Sequence, residues 1–276
     1  MWDPRNYTDS DFGLDDDEAF EPEDIDDERI DVRMDPHVMT VLGPVRPEDL
    51  GMTQVGEYLL TDSPQSEPGL RLNDISKAIE ELTSFVTVGG KSIVDMTTAE
   101  LGRDLLGLLD LARRVPAHVI CSVGATGGAS RMLEEIQQGV GPRTIRPGLI
   151  QVYGGEDELQ SALMVADSTG LPIYVHGFVE SIASRFGAVR IQRSKSASVI
   201  AVISCDQIGG ARIIDLLESG LFVMATGIGR NVANDQQLAR RLVQLEGEGF
   251  GDRLLVSQSI RSRSQLLAWG GSPGLV

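Results

Sequence analysis

Eight short apolar runs, each followed by a longer amphipathic stretch, constrain this chain more than any other feature of its sequence. The runs are Thr53–Leu59, Ser92–Met96, His118–Val123, Leu149–Tyr153, Pro172–His176, Val199–Ser204, Leu221–Ala225 and Arg253–Val256. Most are continuously apolar rather than alternating, the pattern of strands covered on both faces of a parallel sheet. The stretches between them predict helices over Asn73–Phe85 (with Asn73 as N-cap), Thr98–Arg114, Ser130–Gln138, Asp157–Ser168, Glu180–Arg193, Gly210–Glu218 and Asn234–Glu246. Glycine or proline punctuates most returns, as at Pro116, Gly170, Pro172 and Gly220. Eight such units in about 240 residues predict an α/β fold of the (β/α)8 TIM barrel kind, whose closure leaves no exposed sheet edge. An open doubly wound sheet would carry a glycine-rich loop after its first strand. The segment TDSPQSEPG that follows Leu60 cannot cradle a phosphate in that way, and Gly227-Ile-Gly229 is too short and too late.

Charge divides the chain into two parts. Residues 1–35 hold fifteen Asp and Glu against three Arg, a net −12, so the other 241 residues contribute only −5 to the total of −17. That acidic leader has little to bury and much self-repulsion, and is expected to be disordered, with the barrel over 36–276. Its Trp2, Tyr7, Phe12, Phe20 and Ile25 form either part of a solubilising leader or a linear motif for a basic partner. The negative charge argues against nucleic acid as partner. No apolar run has the roughly 18 residues that a membrane span requires, and the acidic start differs from a signal peptide. A cytoplasmic protein is expected, with Cys121 and Cys205 as reduced, buried thiols.

The blocks VMTVLGPVRPEDLGMTQVGEYLL, IVDMTTAELGRD, ARRVPAHVICSVG, RTIRPGLIQV, TGLPIYVH, VISCD, DRLLVSQSI and WGGSPG succeed one another along the chain. In content and order they resemble the phosphotriesterase-related proteins of the amidohydrolase superfamily, the first looking like the N-terminal signature of that family. The resemblance implies a TIM barrel with its active site at the C-terminal strand ends. There, two divalent metals, typically zinc, bridged by a carboxylated lysine would activate water against an ester, lactone or phosphoester.

Carried over residue by residue, the family's metal ligands are mostly replaced here. The His-x-His pair of the first strand falls on Gly56-Glu57-Tyr58, so Gly56 and Tyr58 stand at the ligand positions. The bridging lysine falls on Gln151, which cannot form a carbamate. His176 matches the histidine of the fifth strand. Ser204 stands at the histidine of the sixth strand and Ser259 at the aspartate of the eighth. Five of six positions thus carry poor zinc ligands, and one neutral imidazole does not hold zinc at useful affinity. No metal cofactor is therefore expected, and no catalytic residue is assigned.

Two arrangements would restore a reactive site. A relocated zinc site would draw on Glu57, Cys121, His176 and Asp206, although Cys121 in its apolar run reads more simply as a small buried hydrophobe. Metal-free nucleophilic catalysis would need Ser204, Ser257, Ser259 or Tyr58 beside His176, and no G-x-S-x-G elbow singles one out. His37 and His118 stand alone and read as solvated or core histidines. The chain also runs only a few residues past Trp269-Gly270-Gly271, where the family continues into helices covering the eighth strand. Arg263–Trp269 offers a partial cover, and the bare seam points to a homo-oligomer, or a hetero-oligomer with a related subunit. The expectation is thus a pseudoenzyme: a binding or assembly subunit whose pocket of Gly56, Tyr58, Gln151, His176, Ser204 and Ser259 holds a small polar ligand. The alternative is a metal-dependent hydrolase of an ester, lactone or phosphoester with an altered site around His176. A third option gives the function to the acidic leader.

Overall fold

The computed structural model describes residues 36–153, 155–176, 198–204 and 212–275. The acidic leader, the expected helix Glu180–Arg193, Cys205 and Asp206 lie outside the described residues. Ten strands are described: β1 (Val38–Thr40), β2 (Gly43–Val45), β3 (Thr53–Glu57), β4 (Ser92–Asp95), β5 (His118–Gly124), β6 (Leu149–Val152), β7 (Ile173–Val175), β8 (Val199–Ser204), β9 (Phe222–Thr226) and β10 (Leu254–Ser257). Strands β3 to β10 form one parallel sheet in chain order. Parallel neighbours require crossovers. These include α1 (Ile75–Thr87), α2 (Leu105–Arg114), α3 (Gly128–Gln138), α4 (Glu156–Thr169), α5 (Arg212–Glu218) and α6 (Val232–Leu245). The architecture is the expected (β/α)8 barrel.

Side chains alternate across each strand, and the two sets do different work. Val94, Met96, Ile120, Leu149, Tyr174, Ile200 and Met224 turn inward and fill the barrel. Their chain neighbours Ile93, Val119, Cys121, Ile150, Ile173, Val175 and Val223 turn outward against the helices. Burying one such aliphatic side chain stabilises the fold by about 1.5–3 kcal/mol. This double coverage is why the strands read as continuous apolar runs.

Helix α1 shows how sequence sets a local element. Asp74, not Asn73, is the N-cap, accepting from the amides of Ser76 and Lys77. Ala78, Glu81, Leu82 and Phe85 then recur on one buried face. The expected helix Thr98–Arg114 begins at Leu105 instead, because Gly102 adopts φ 75° after a short 3-10 turn and Asp104 caps the new start through Gly107.

The β1–β2 hairpin has no counterpart in the sequence reading. Its strands have three residues each and include Gly43 and Pro44, too little for a periodic signal. It sits at the N-terminal end of the barrel, where the amide of Val41 donates to the carbonyl of Val119 at 2.8 Å and Val38 packs on the inward cluster.

Strands β3 and β10 end the sheet and have no ladder pairing among the described residues. Hydrogen bonds outside any ladder join them instead. The Glu57 carboxylate accepts from the Ser257 hydroxyl and the Ser259 amide, both at 2.9 Å, and from the Ile260 amide. The amide of Tyr58 donates to the carbonyl of Ile260 at 3.0 Å, and Gln54 Nε2 donates to Gln258 Oε1 at 2.6 Å.

Arg263–Trp269 folds into two short 3-10 turns that lie on α1 rather than over β10. Glu81 of α1 accepts from the amides of Ala268 and Leu275, and Trp269 lies beside Lys77 and Arg263 at 4.7 and 4.0 Å. The outer face of β10 stays partly bare. Val256 is 48% exposed and lines an apolar groove of about 230 Å³ with Met52, Phe85, Val88 and Ile228.

Candidate functional site

Strand β3 breaks its ladder where the family places its first ligand. Val55 pairs with Val94 and Glu57 with Asp95, so Gly56 is an extra, bulged residue. Its φ of 105° suits glycine and strains any other residue. A Cβ there would lie 3.0 Å from the hydroxyl of Tyr174, 3.2 Å from Ser257 Oγ and 3.5 Å from Met224 Cε. Tyr174 is 1% exposed and reaches across the barrel from β7. The space an imidazole at residue 56 would need is already filled by a phenol.

Gln151 stands at the centre of the site. Its Nε2 donates to the carbonyl of Met96 at 2.9 Å and to Ser122 Oγ, whose own proton goes to the carbonyl of Asp95. Both amide protons are thereby used, so Oε1 faces the mouth. There it accepts from His176 Nε2 at 2.7 Å and from the Tyr153 hydroxyl at 3.1 Å. Tyr153 stacks on His176 with ring centroids 4.4 Å apart and planes within 4°. Tyr174 meets the same imidazole at 4.7 Å, tilted by 59°. Burial, with Arg261 nearby, lowers the His176 pKa to about 4, so its ring is neutral at pH 7.

The phenols remain protonated as well. Burial pushes the Tyr58, Tyr153 and Tyr174 hydroxyls above their usual range. Tyr58 hydrogen-bonds to Tyr153, and Thr98 also reaches the Tyr153 oxygen. Behind them, burial raises Glu57 to about 7 and Asp95 to about 6. Asp95 is fully committed to the amides of Leu59 and Thr97 and to the Thr97 hydroxyl.

The structure brings Gly56, Tyr58, Gln151 and His176 to one mouth, linked through Tyr153 and Tyr174. Ser259 stands apart from that chain of contacts. It holds φ 52° just past β10, its amide donates to Glu57 and Ser257, and Arg230 braces its carbonyl at 2.6 Å. Ser204 ends β8 opposite Thr226, and its side chain is outside the described part.

Tyr153 and Tyr174 are the residues that the sequence reading missed. The signal was available, since each lies two positions from a candidate on the same strand or its end, Gln151 and His176, and so shares its face.

The relocated zinc set is not assembled. Cys121 faces the helix layer, 1% exposed, with burial pushing its thiol up to about 12. Glu57 is tied to the seam, and Asp206 is outside the described residues. Among the described residues no group of three His, Cys, Asp or Glu could hold a metal ion.

The two-metal centre implied by the fold does not fit this mouth. One ligand position is filled by the Tyr174 phenol. Another is an amide whose oxygen already accepts two hydrogen bonds, and the surviving imidazole donates through Nε2 to that amide. Phenols held in their protonated form do not replace imidazoles or carboxylates as ligands.

Comparison with known proteins places this geometry. The N-acetyltaurine hydrolase of Xenopus tropicalis is 25% identical over 304 residues, covering 85% of this chain and 87% of that protein. The phosphotriesterase homology protein of Escherichia coli (strain K12) is 24% identical over 249 residues, covering 80% and 85%. Among solved structures, an amidohydrolase from Mycoplasma synoviae superposes with a TM-score of 0.74 at 22% identity over 88% of this chain and 83% of that one. A resiniferatoxin-binding protein from Rhodobacter sphaeroides gives 0.73 at 22% identity over 87% and 86%. These two likenesses speak for the fold. The model of the phosphotriesterase family matches residues 36–273, and this chain therefore belongs to the phosphotriesterase family.

Proposed function

We propose that this member of a hydrolase family is a binding or assembly subunit that does not carry out the family's metal-assisted hydrolysis. The observation that carries the proposal is the contact at Gly56. A position that must supply a ligand atom has none, and the Tyr174 hydroxyl stands 3.0 Å from where its Cβ would be. The neighbouring Gln151 amide supports it, because every atom that could be recruited is already bonded within the protein. What the mouth retains is a set of neutral hydrogen-bonding groups and an exposed aromatic face, suited to holding a small polar ligand. The bare outer face of β10 supports the assembly part, since uncovered apolar surface favours association.

The competing reading is a hydrolase acting through a changed site around His176, and the names of the curated relatives favour it. Full-length protein purified without chelators separates the two. Metal analysis should find no stoichiometric zinc, manganese or iron. Added Zn2+ or Mn2+ should produce no turnover of aryl esters, lactones, phosphotriesters or N-acetyltaurine, and sedimentation should show an oligomer. A stoichiometric metal lost together with turnover in His176→Ala would overturn the binding reading, and a monomer would overturn its assembly part.

A further inference from the structure

We infer that residues 262–275 are a detachable strap that closes the barrel in place of a ladder between β10 and β3, so that strap, seam and the floor of the mouth open together as one conformational switch. The inference concerns how the barrel closes and does not depend on the binding reading. It begins from how little else joins the two strands. Among the described residues no ladder pairs them. The hydrogen bonds across the seam come from the amides of Tyr58, Ser259 and Ile260 and from the pairing of Ser257 with Glu57 and of Gln54 with Gln258. On the β10 side all of them belong to residues 257–260. One residue, Arg261, separates that run from the strap, whose first 3-10 turn is capped by Ser262. The Arg261 amide is itself held inside the strap, by Gln265 Oε1 at 3.0 Å. A single residue spans at most about 3.6 Å, too little for the strap to leave α1 while Ile260 stays in place.

Helix α1 grips the strap by its backbone. Lys77 and Glu81 stand one turn apart on one face of the helix and take both polar groups of a single residue. Lys77 Nζ donates to the Ala268 carbonyl at 2.5 Å, and the Ala268 amide donates to Glu81 Oε1 at 2.6 Å. The other Glu81 oxygen accepts from the Leu275 amide at 3.2 Å. Arg263 adds bonds to the Arg71 carbonyl at 2.7 Å and to Asn73 Oδ1 at 3.1 Å. Of the strap's large apolar side chains only Leu266 and Leu275 are buried, in the cluster of Leu82 and Phe85, while Leu267 is exposed. A segment held by polar grips and few buried apolar contacts belongs to the part of a fold that opens below the limit of global unfolding. Its opening reaches the mouth directly. Gly56 of β3, Ser257 of β10 and Tyr174 meet at the seam, so parting the two strands withdraws Ser257 from the other two.

The test is amide hydrogen exchange of the full-length protein at fixed pH in sub-denaturing urea. In the wild type the seam amides of Tyr58, Ser259 and Ile260 should exchange through the same opening as the strap amides of Ala268 and Leu275, with one urea slope. All five should exchange faster than the amides of Ile150 and Ile173 on the far wall, which are bonded to the carbonyls of Pro172 and Ser198. Glu81→Gln keeps the size of the side chain and sets a new donor against an amide. It should speed all five by a common factor of about tenfold or more, the worth of a hydrogen bond to a charged group, and leave Ile150 and Ile173 unchanged. Lys77→Met keeps the length of the side chain and should act in the same sense, which keeps the inference testable if Glu81→Gln fails to fold. Glu80→Gln, at an exposed position of the same helix, should change none of them. Strap amides that speed up while Tyr58, Ser259 and Ile260 do not would overturn the inference. So would seam amides as slow as those of Ile150 and Ile173 in the wild type, a result read without any variant. Neither outcome bears on metal content or turnover, by which the binding reading is judged.

Discussion

Replacing Gly56 by alanine tests the physical core of the account, because two separable costs meet at that residue. The first is conformational. At φ 105° an L side chain leaves its allowed regions, which costs about 1–2 kcal/mol. The second is steric. The new Cβ would meet the Tyr174 hydroxyl at 3.0 Å and Ser257 Oγ at 3.2 Å. Neither can retreat freely, since Tyr174 is 1% exposed and Ser257 is bonded to Glu57. Overpacking of this kind costs about 1–3 kcal/mol, so Gly56→Ala should lose about 2–5 kcal/mol in all. Tyr174→Phe removes the nearer obstacle together with a hydroxyl that has no hydrogen bond among the described residues. It should therefore be nearly neutral alone. In its background Gly56→Ala should retain the conformational cost but shed at least about 1 kcal/mol of the steric one, a coupling within the range seen for contacting residues. Equilibrium urea unfolding of the four proteins, compared at a common slope, measures the cycle. A Gly56→Ala cost below about 0.5 kcal/mol, the ordinary range of a neutral surface change, would refute the packing of the mouth described here. An equal cost in both backgrounds would refute the role of Tyr174.

Two further outcomes follow from buried carboxylates. Glu57 binds its proton more tightly in the folded state, near pH 7 against an ordinary 4.5. Its contribution to stability is therefore complete below about pH 4.5 and is lost as the pH rises towards 7. Asp95 acts in the same sense at lower pH, whereas His176, with its lowered pKa, contributes fully above 6.5 and loses that as the pH falls towards 4. Glu57→Gln should accordingly flatten the decline of the urea midpoint between pH 5 and 7, and a steeper decline in the variant would contradict the assignment. Glu81→Ala should cost about 1–3 kcal/mol by stranding the buried Leu275 amide and the half-buried Ala268 amide. Hydrogen exchange at Ala268 and Leu275 should speed up in that variant, and unchanged exchange would show that Glu81 does not hold the C-terminal turns.

Much of this protein was legible from residue order alone. The eight apolar runs located all eight barrel strands, because a strand covered on both faces has to be apolar throughout. The sequence also carried the expectation of a mouth without a zinc pair's donors, from the glycine, amide and serines at the positions that the resemblance assigns to ligands. Tertiary structure decided what the substitutions became. The bulge at Gly56 turns Glu57 to the seam, which no local pattern in GEY reveals, since a bulge is defined only by the partner strand. The phenol of Tyr174 fills the space beside Gly56 from the far wall of the barrel, and the proton on His176 is set by an amide 25 residues away in sequence. Such facts depend on where side chains of different strands meet, and a sequence carries that information only through the complete packing of the barrel.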